Sequence, residues 1–360
     1  MQFLVLLLAA CQNAADSGAV ADDSSAPLDC AVGSHQDGAA CVATLSGWED
    51  APKLTFARDH HVTFVAETDA GPALYALAGT SKSGEANVTV ERAWIADDGS
   101  LSDWETLESL PGGRIGCGLA QQGNTVVMAG GLLPESTSTA ATWVITVNPD
   151  GTLFVDDGTS LHTSRYHVAL VLSHGFIYAT GGMEQTSGDV AGQTVLSSVE
   201  RAPFDGVTLG KWEELGDLPE PTTHHGFVVR EDALYVIGGG DGRKARDTML
   251  RADIAADGSL GAWAEAGTLP EGRATSAASV FLDQLYVIAG MKTLTGKEVD
   301  TVLRADFGDD GSVGAFEELP PLPKARAHSH QTPFYNGAIY SVAGSIVHKD
   351  QDEVYVGRLE

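Results

Sequence analysis

The sequence predicts an all-β protein, a six-bladed β-propeller built from four-stranded antiparallel blades. Three landmarks recur along the chain in a constant order, at a period of roughly 50 residues. Each repeat has room for four short runs of β-branched and aromatic residues, separated by Gly, Asp and Pro turns. A repeat of this length with four strands is typical of a propeller blade, so the repeat count predicts the blade count.

The first landmark is an arginine, usually followed two residues later by histidine. It stands at Arg58/His60, Arg114, Arg165/His167, Arg273 and Arg326/His328, and in the fourth repeat Thr222 replaces the arginine while His224 remains. A guanidinium group suits pairing with an acid or with carbonyl oxygens of the same blade, which is the role we favour for these arginines.

The second landmark is an apolar run that ends in two small residues. It reads LYALAG at 74–79, VVMAGG at 126–131, IYATGG at 177–182, LYVIGG at 234–239, LYVIAG at 285–290 and IYSVAG at 339–344. The third landmark is an Asp-Gly pair followed by Trp or Phe, at Trp104, Phe154, Trp212, Trp263 and Phe316. Asp-Gly suits a tight hairpin turn, and we expect Trp and Tyr side chains to fill the space between neighbouring blades.

The sixth repeat has three strand-like runs, HSHQTPF, AIYSVAG and EVYVGRL, but lacks the third landmark. The missing piece stands near the N-terminus, as TLSGWEDAPKL with Trp48. We therefore expect residues 42–50 to form the outer strand of the last blade, within a propeller domain that covers residues 42–360. This closure would remove the free sheet edges of an open array.

The N-terminal residues predict export. Residues 1–10 are predicted to be a signal peptide, because the apolar run Phe3 to Ala10 is too short to span a bilayer and ends in small residues. Leu8-Ala9-Ala10-Cys11 resembles a bacterial lipobox, in which Cys11 would be lipidated. No Lys or Arg precedes the run, which leaves open that the true start codon lies upstream. The alternative is an ordinary secretory signal with a chance cysteine. The location that this implies is extracytoplasmic, on the bacterial outer membrane or the cell surface.

Residues 11–41 predict a flexible polar tether that carries a small disulfide loop. In an oxidising compartment, Cys30 and Cys41 are close enough in sequence to pair. Cys117 is then left over, and its apolar surroundings predict a buried free thiol.

The charge of the chain excludes some partners. With 49 acidic and 21 basic residues, the formal net charge is −28. Such a surface repels phosphate backbones and anionic headgroups, so we predict no nucleic-acid partner and no membrane contact other than through a lipid anchor.

One face of the propeller is the candidate binding face. Strands alternate in direction across a blade, so the chain entering each first strand and the connection from second to third strand share one face. These connections diverge between repeats, as binding loops on a regular scaffold do. The candidate residues on this face are Arg58, His60, Arg114, Arg165, His167, His224, Arg273, Arg326 and His328. The ligand would be a glycan, a peptide or a protein.

Two of the repeats resemble kelch repeats in their landmark sequences. They read LPEGRATS followed by LYVIAG, and LTFARDHH followed by LYALAG. The resemblance covers about residues 45–360 and implies the propeller fold, but its motifs say little about function. We favour a binding module over an enzyme. The enzymatic alternatives are a sialic-acid mutarotase, with Arg243, Arg246 and Glu298 as candidates, and a copper oxidase of the galactose oxidase type. In the latter comparison Cys117 matches the crosslinked cysteine, but His167 stands where the tyrosine would be.

The histidines of the first landmark leave metal binding open. Seven histidines are expected to begin inner strands of four blades, where imidazoles could converge on copper or zinc. They are His60, His61, His167, His224, His225, His328 and His330. A structural role for these residues is the reading we favour, so we assign no metal ligand and no cofactor from the sequence. Copper at the histidines and Ca²⁺ in the acidic loops stay open.

Overall fold

A computed structural model describes residues 30–37, 40–81, 84–189, 192–293 and 296–360. The predicted signal peptide, Cys11 and the predicted tether up to residue 29 lie outside the described residues. Within them the chain is built from strands arranged as six four-stranded antiparallel sheets, which confirms the predicted propeller. No helix in the described part of the chain is long and apolar enough to cross a bilayer.

The strands before the first blade are β1 (His35–Asp37) and β2 (Ala40–Val42), which pair with each other, and β3 (Leu45–Ala51). Blade 1 contains β4 (Val62–Thr68), β5 (Gly71–Leu77), β6 (Val90–Trp94) and β7 (Glu105–Thr106). Blade 2 contains β8 (Gly118–Gln122), β9 (Thr125–Ala129), β10 (Thr142–Val147) and β11 (Leu153–Asp157). Blade 3 contains β12 (Ala169–Ser173), β13 (Phe176–Thr180), β16 (Ser198–Pro203) and β17 (Glu213–Asp217), with a hairpin of β14 (Met183–Gln185) and β15 (Gln193–Val195) between β13 and β16.

Blade 4 contains β18 (Gly226–Arg230), β19 (Ala233–Ile237), β20 (Thr248–Asp253) and β21 (Ala264–Thr268). Blade 5 contains β22 (Ala277–Phe281), β23 (Gln284–Ile288), β26 (Val302–Asp306) and β27 (Glu317–Leu319), with the hairpin β24 (Met291–Thr293) and β25 (Gly296–Glu298). Blade 6 contains β28 (Phe334–Tyr335), β29 (Ala338–Val342), β32 (Val354–Leu359) and β3, with the hairpin β30 (Ser345–Ile346) and β31 (Lys349–Asp350).

The ring closes as the sequence predicts. Strand β3 pairs antiparallel with β32, and Trp48 lies opposite Gly357. The indole N–H of Trp48 donates to the carbonyl oxygen of Pro320 in blade 5, at 2.9 Å. One expectation in this blade needs correction. Of the predicted run HSHQTPF only Phe334 lies in a strand, because Pro333 has no N–H to give to a sheet ladder.

Tyrosine and arginine side chains join four of the six blades to the Asp-Gly turn of the next blade. In four blades the hydroxyl of a second-strand tyrosine donates to a glycine carbonyl oxygen of that turn: Tyr75 to Gly151, Tyr178 to Gly258, Tyr235 to Gly311 and Tyr340 to Gly99, at 2.8–3.0 Å. In the same blades a third-strand arginine reaches the aspartate carbonyl oxygen beside it: Arg92 to Asp150, Arg201 to Asp257, Arg251 to Asp310 and Arg358 to Asp98. The second and third landmarks are therefore two halves of one contact between blades.

Two of the tryptophans that follow the Asp-Gly turns also form hydrogen bonds between neighbouring blades. Trp104 Nε1 donates to Pro52 O, and Trp212 Nε1 donates to Thr159 O, each at 2.9 Å and each in the preceding blade. Phe154 differs, because it follows Gly151 by three residues (154 − 151) whereas Trp104 follows Gly99 by five (104 − 99), and its side chain is mostly exposed.

The predicted disulfide between Cys30 and Cys41 is present. Its loop packs at the end of blade 6 that carries the β28–β29 turn: Gly33 lies against Gly337, and the His35 ring is hydrogen-bonded to the Glu360 carbonyl oxygen at 3.0 Å. The β28–β29 turn and the Asp-Gly turns share one face of the propeller. The described N-terminal segment thus lies on the face opposite the variable connections.

Candidate functional site

The variable connections form what we call the loop-rich face, the side on which the first strands begin. Three hairpins project there, β14/β15 from blade 3, β24/β25 from blade 5 and β30/β31 from blade 6. Val347, at the turn of the last hairpin, is 68% exposed. The scaffold repeats almost unchanged around the axis, so these hairpins are the parts that distinguish this face.

A ring of backbone encircles the propeller axis where the blades begin. The residue two positions after the landmark arginine, or after Thr222, has a left-handed φ in every blade: His60 (49°), Gly116 (66°), His167 (51°), His224 (56°), Thr275 (60°) and His328 (57°). Four of the six neighbouring pairs in this ring are joined by N–H···O bonds, from His60 to His328, Gly116 to His60, His167 to Gly116 and Thr275 to His224, at 2.6–3.0 Å. A left-handed φ is unfavourable for residues other than glycine, so the ring places its side chains at the cost of backbone strain.

This ring brings histidines of different blades into contact. The ring centroids of His60 and His328 lie 3.8 Å apart, as do those of His167 and His224, and His60 lies 4.8 Å from His167. The fifth ring, that of His330, lies between 5.8 and 6.4 Å from these four. We call these five side chains the axial histidine cluster.

Three of these rings converge as metal ligands do. One ring nitrogen from each of His60, His224 and His328 lies within 4.8 Å of the other two. In the part of the chain that the structure describes, this is the one group of three or more such side chains close enough to share an ion. The candidate ligands are therefore imidazoles and not the carboxylates that Ca²⁺ prefers.

The Nδ1 atoms of the three rings are engaged outside the cluster. His60 Nδ1 lies 2.7 Å from Asp59 Oδ1, His328 Nδ1 lies 2.9 Å from Ser345 Oγ, and His224 Nδ1 lies 3.1 Å from Thr223 Oγ1. Such partners orient the rings, and with Nδ1 engaged in this way each ring has Nε2 left for a ligand.

Burial lowers the pKa values of four of the five histidines in the cluster. Desolvation, followed by the charge of neighbouring histidines, holds the pKa values of His167, His224 and His328 well below the ordinary value, and the pKa of His330 is lowered to about 3. His61 and His225, next in the chain, also have pKa values lowered by burial, to about 3 and about 4. At neutral pH these imidazoles are neutral, the form that coordinates a metal.

Two carboxylates lie beside His60. Burial alone would raise the pKa of Asp59, but the His60 ring and hydrogen bonds from His60 and Thr80 hold it below its usual range. Asp350, from β31, accepts a 3.2 Å hydrogen bond from Thr80, and burial and the charge of Asp59 raise its pKa to about 6. Neither acid is predicted as a site residue from the sequence. Asp59 lies inside the first landmark, but nothing in the sequence places the hairpin that carries Asp350 next to it.

A cavity of about 410 Å³ follows the axis along the first strands. His167, His224 and His330 belong to its lining, together with apolar side chains such as Leu119, Leu170 and Phe227. The axial histidine cluster thus borders an internal space as well as the loop-rich face.

The landmark arginines predicted for the binding face are buried inside the blades. Arg58 pairs with Glu91 at 2.6 Å with both side chains fully buried, and Arg165 pairs with Glu200 in the same way. Arg114, Arg273 and Arg326 donate to carbonyl oxygens at the blade's second connection, those of Ala141, Ala289 and Ala343, at 2.8–2.9 Å. The pairing with acids or carbonyls that the sequence predicts for these arginines is therefore present. A ligand on the loop-rich face would meet the histidines and hairpins before these guanidinium groups.

The residues named above for the two enzymatic alternatives make the following contacts. Arg246 donates to Thr222 and pairs with Glu220. Glu298 accepts a hydrogen bond from the Val347 N–H, and Arg243 is exposed. Cys117 is a buried free thiol, as predicted; its Sγ contacts Gly130 O, and burial raises its pKa to about 12. The hydroxyl of Tyr166 is bonded to Gln185 and Gln193.

Comparison with known proteins gives two similarities. Beta-scruin of Limulus polyphemus is 24% identical over 196 residues, which is 52% of this chain and 21% of beta-scruin, so the chain spans about a fifth of that relative's length. The solved structure titled "Structure of YjhT" superposes with a TM-score of 0.62 at 15% identity, covering 86% of this chain and 95% of that chain; at this identity the likeness concerns the fold. No family model matches the chain. With its six blades and repeated landmarks, the chain is a kelch-repeat β-propeller.

Proposed function

We propose that this protein is an extracytoplasmic, lipid-anchored binding module that takes a glycan, a peptide or a partner protein on its loop-rich face. The observation that carries this proposal is the asymmetry of the scaffold. Projecting hairpins of three blades stand on one face, whereas the opposite face carries short and similar Asp-Gly turns. Divergent segments held by a rigid scaffold are where binding sites usually lie.

The position of the disulfide loop supports a display function. The loop packs against Gly337 on the face opposite the hairpins. A tether from Cys11 would therefore hold the propeller by that face and leave the loop-rich face directed away from the membrane. A disulfide is typical of oxidising compartments, which agrees with an outer-membrane or cell-surface location.

The exposed surface of blades 4 to 6 suits a polar or anionic ligand. Arg243, Lys244, Lys297 and Lys349 are exposed there, in a chain whose formal net charge is −28. Val347 stands among these connections as an exposed apolar side chain.

The test is a binding screen of the protein against glycan and peptide arrays, with Val347→Asp as the variant. We expect V347D to weaken binding of the ligand found by about tenfold or more, because it places a charge in the contact. The matched control is Val207→Asp. Val207 is 76% exposed on an Asp-Gly turn of the opposite face, and V207D should bind normally.

Two outcomes would contradict the proposal. Equal losses in the two variants would mean that the loop-rich face is not the binding face. Interconversion of sugar anomers by the purified protein, measured by NMR, would favour the carbohydrate-active enzyme instead.

A further inference from the structure

We propose that the axial histidine cluster binds one late first-row transition ion, Zn²⁺ or Cu²⁺, through His60, His224 and His328, with His330 as the fourth ligand. The ion would join blades 1, 4 and 6 across the propeller axis. This inference does not depend on what the loop-rich face binds.

The spacing of the ligand nitrogens is close to that of a filled site. Zinc bonds to imidazole nitrogen at about 2.0–2.1 Å, so tetrahedral geometry puts ligand nitrogens roughly 3.3–3.4 Å apart. The nitrogens of His60, His224 and His328 already lie within 4.8 Å of one another. Binding of an ion would require the ring nitrogens to move closer by up to about 1.4 Å (4.8 − 3.4).

Unpartnered polar atoms point to a missing group at this place. His330 Nε2 and His167 Nδ1 are buried and have no hydrogen-bond partner among the described residues. Buried polar atoms are nearly always partnered, so an unpartnered pair in one cluster calls for a ligand. Coordination of an ion by His330 Nε2 would satisfy the first of them.

The charges around the cluster suit a cation. The cluster itself is a set of imidazoles, but Asp59 contacts the His60 ring at 2.7 Å, and Asp350 lies next to Asp59. Asp350 Oδ2 is buried without a partner among the described residues. A carboxylate behind a metal-binding histidine raises the basicity of the ring and partly balances the charge of the ion.

The choice of ion follows from the ligand type. Imidazole nitrogen favours zinc, copper and nickel, whereas calcium and magnesium require oxygen ligands. Among divalent ions of the first row, copper binds such sites most tightly and zinc is the redox-inert choice. Calcium is therefore the negative control.

The test begins with protein stripped by a chelator and loaded separately with Zn²⁺, Cu²⁺ or Ca²⁺. Elemental analysis after gel filtration should find one zinc or copper per chain and no calcium. The melting temperature should rise with zinc or copper, because the ion binds the folded chain and not the unfolded one. Absence of stoichiometric zinc and copper would overturn the proposal.

Single variants H60Q, H224Q and H328Q should each lower the affinity for the ion by at least tenfold, and H330Q should lower it less if water can take the fourth position. The control is His174→Gln, which removes an imidazole that pairs with Asp232 on the opposite face. Unchanged affinity in the three ligand variants, or equal loss in H174Q, would overturn the proposal.

A spectroscopic measurement on the unmutated protein covers the case in which the variants do not fold. Electron paramagnetic resonance of the Cu²⁺ form should show hyperfine coupling to at least three imidazole nitrogens. Coupling to fewer would contradict the ligand set even with one copper bound.

Discussion

The landmark arginine is buried in five of the six blades, and its partner changes from blade to blade. The equivalent third-strand position holds Glu91 in blade 1 and Glu200 in blade 3, each paired with its arginine. In blades 2 and 6 it holds an aromatic ring under the guanidinium group: Arg114 stacks on Trp143 at 3.6 Å and Arg326 on Tyr355 at 4.4 Å. Charge pairing and cation–π stacking are thus two ways of stabilising the buried guanidinium group.

Replacing Glu91 by alanine should destabilise the protein strongly. Arg58 would be left as a buried charge without its carboxylate, and loss of one partner of a buried pair costs about 3–5 kcal/mol. The measurement is the free energy of unfolding in urea.

Glu105→Ala is the matched control for this prediction. Glu105 pairs with Arg92 at 2.7 Å, but its side chain is 51% exposed. A solvated pair contributes about 0–1 kcal/mol, so E105A should unfold almost like the parent. Equal losses in the two variants would show that burial is not what makes the Arg58–Glu91 pair important.

Part of the axial site could be derived from its residues. The histidines were predicted as potential metal ligands because they recur at the start of inner strands, although a structural role was favoured. Their partners Asp59, Ser345 and Thr223 could not be assigned, because a hydrogen bond to Nδ1 depends on ring orientation. Asp350 is 290 residues from His60 in the sequence (350 − 60). It lies next to Asp59 only because closure of the ring brings blade 6 beside blade 1.

At the scale of elements, the Asp-Gly hairpin is the connector between blades. Its glycine has a positive φ in every case, 76° at Gly99 and 77° at Gly311 for example, so that the carbonyl oxygens of the turn face the preceding blade. The tyrosine and arginine of that blade then donate to them. The sequence predicted the turn and the aromatic packing, but the hydrogen bonds between the landmarks became evident only from the structure.

Tyr340→Phe should weaken the contact between the last blade and the first. It removes the hydroxyl that donates to Gly99 O at 2.9 Å, in a buried place, and should cost about 0.5–1.5 kcal/mol in the free energy of unfolding.

Tyr286→Phe is the control for this contact. The Tyr286 hydroxyl contacts Gln284 at 3.4 Å and is hydrogen-bonded to Arg304, both in its own blade, and no bond to a turn of the next blade is present among the described residues. Urea unfolding of the two variants compares them directly. Equal destabilisation of Y286F and Y340F would mean that the bond to the turn of the next blade contributes nothing beyond the loss of a tyrosine hydroxyl.

At the scale of the whole molecule, stability depends on a closed circle. Strand β3 covers the edge of β32, and Trp48 connects blade 6 to blade 5 through Pro320. The joint between blades 6 and 1 is made by the Tyr340 and Arg358 contacts to the turn at 98–99. The chain's two described ends therefore share one sheet.

A chain that starts at Ala51 should lose cooperative unfolding. It lacks nearly all of β3, so β32 becomes an exposed edge and the joint to blade 5 loses its indole. Circular dichroism during heating measures the effect. The control is a chain that starts at Cys30, which keeps every described residue and should melt as the full chain does. Identical melting of the two truncated chains would disprove the role of β3 in closure.

Four features follow from the sequence: the number of blades, the number of strands in each blade, the segment that closes the ring, and the pairing of the arginines with acids or carbonyl oxygens. Those properties are periodic, and a period of about 50 residues can be recognised without coordinates. Tertiary structure alone decided which histidine nitrogens converge, which acids lie behind them and which face the disulfide loop occupies. These depend on distances across a ring between residues far apart in the chain, and on side-chain rotations that no repeat pattern encodes.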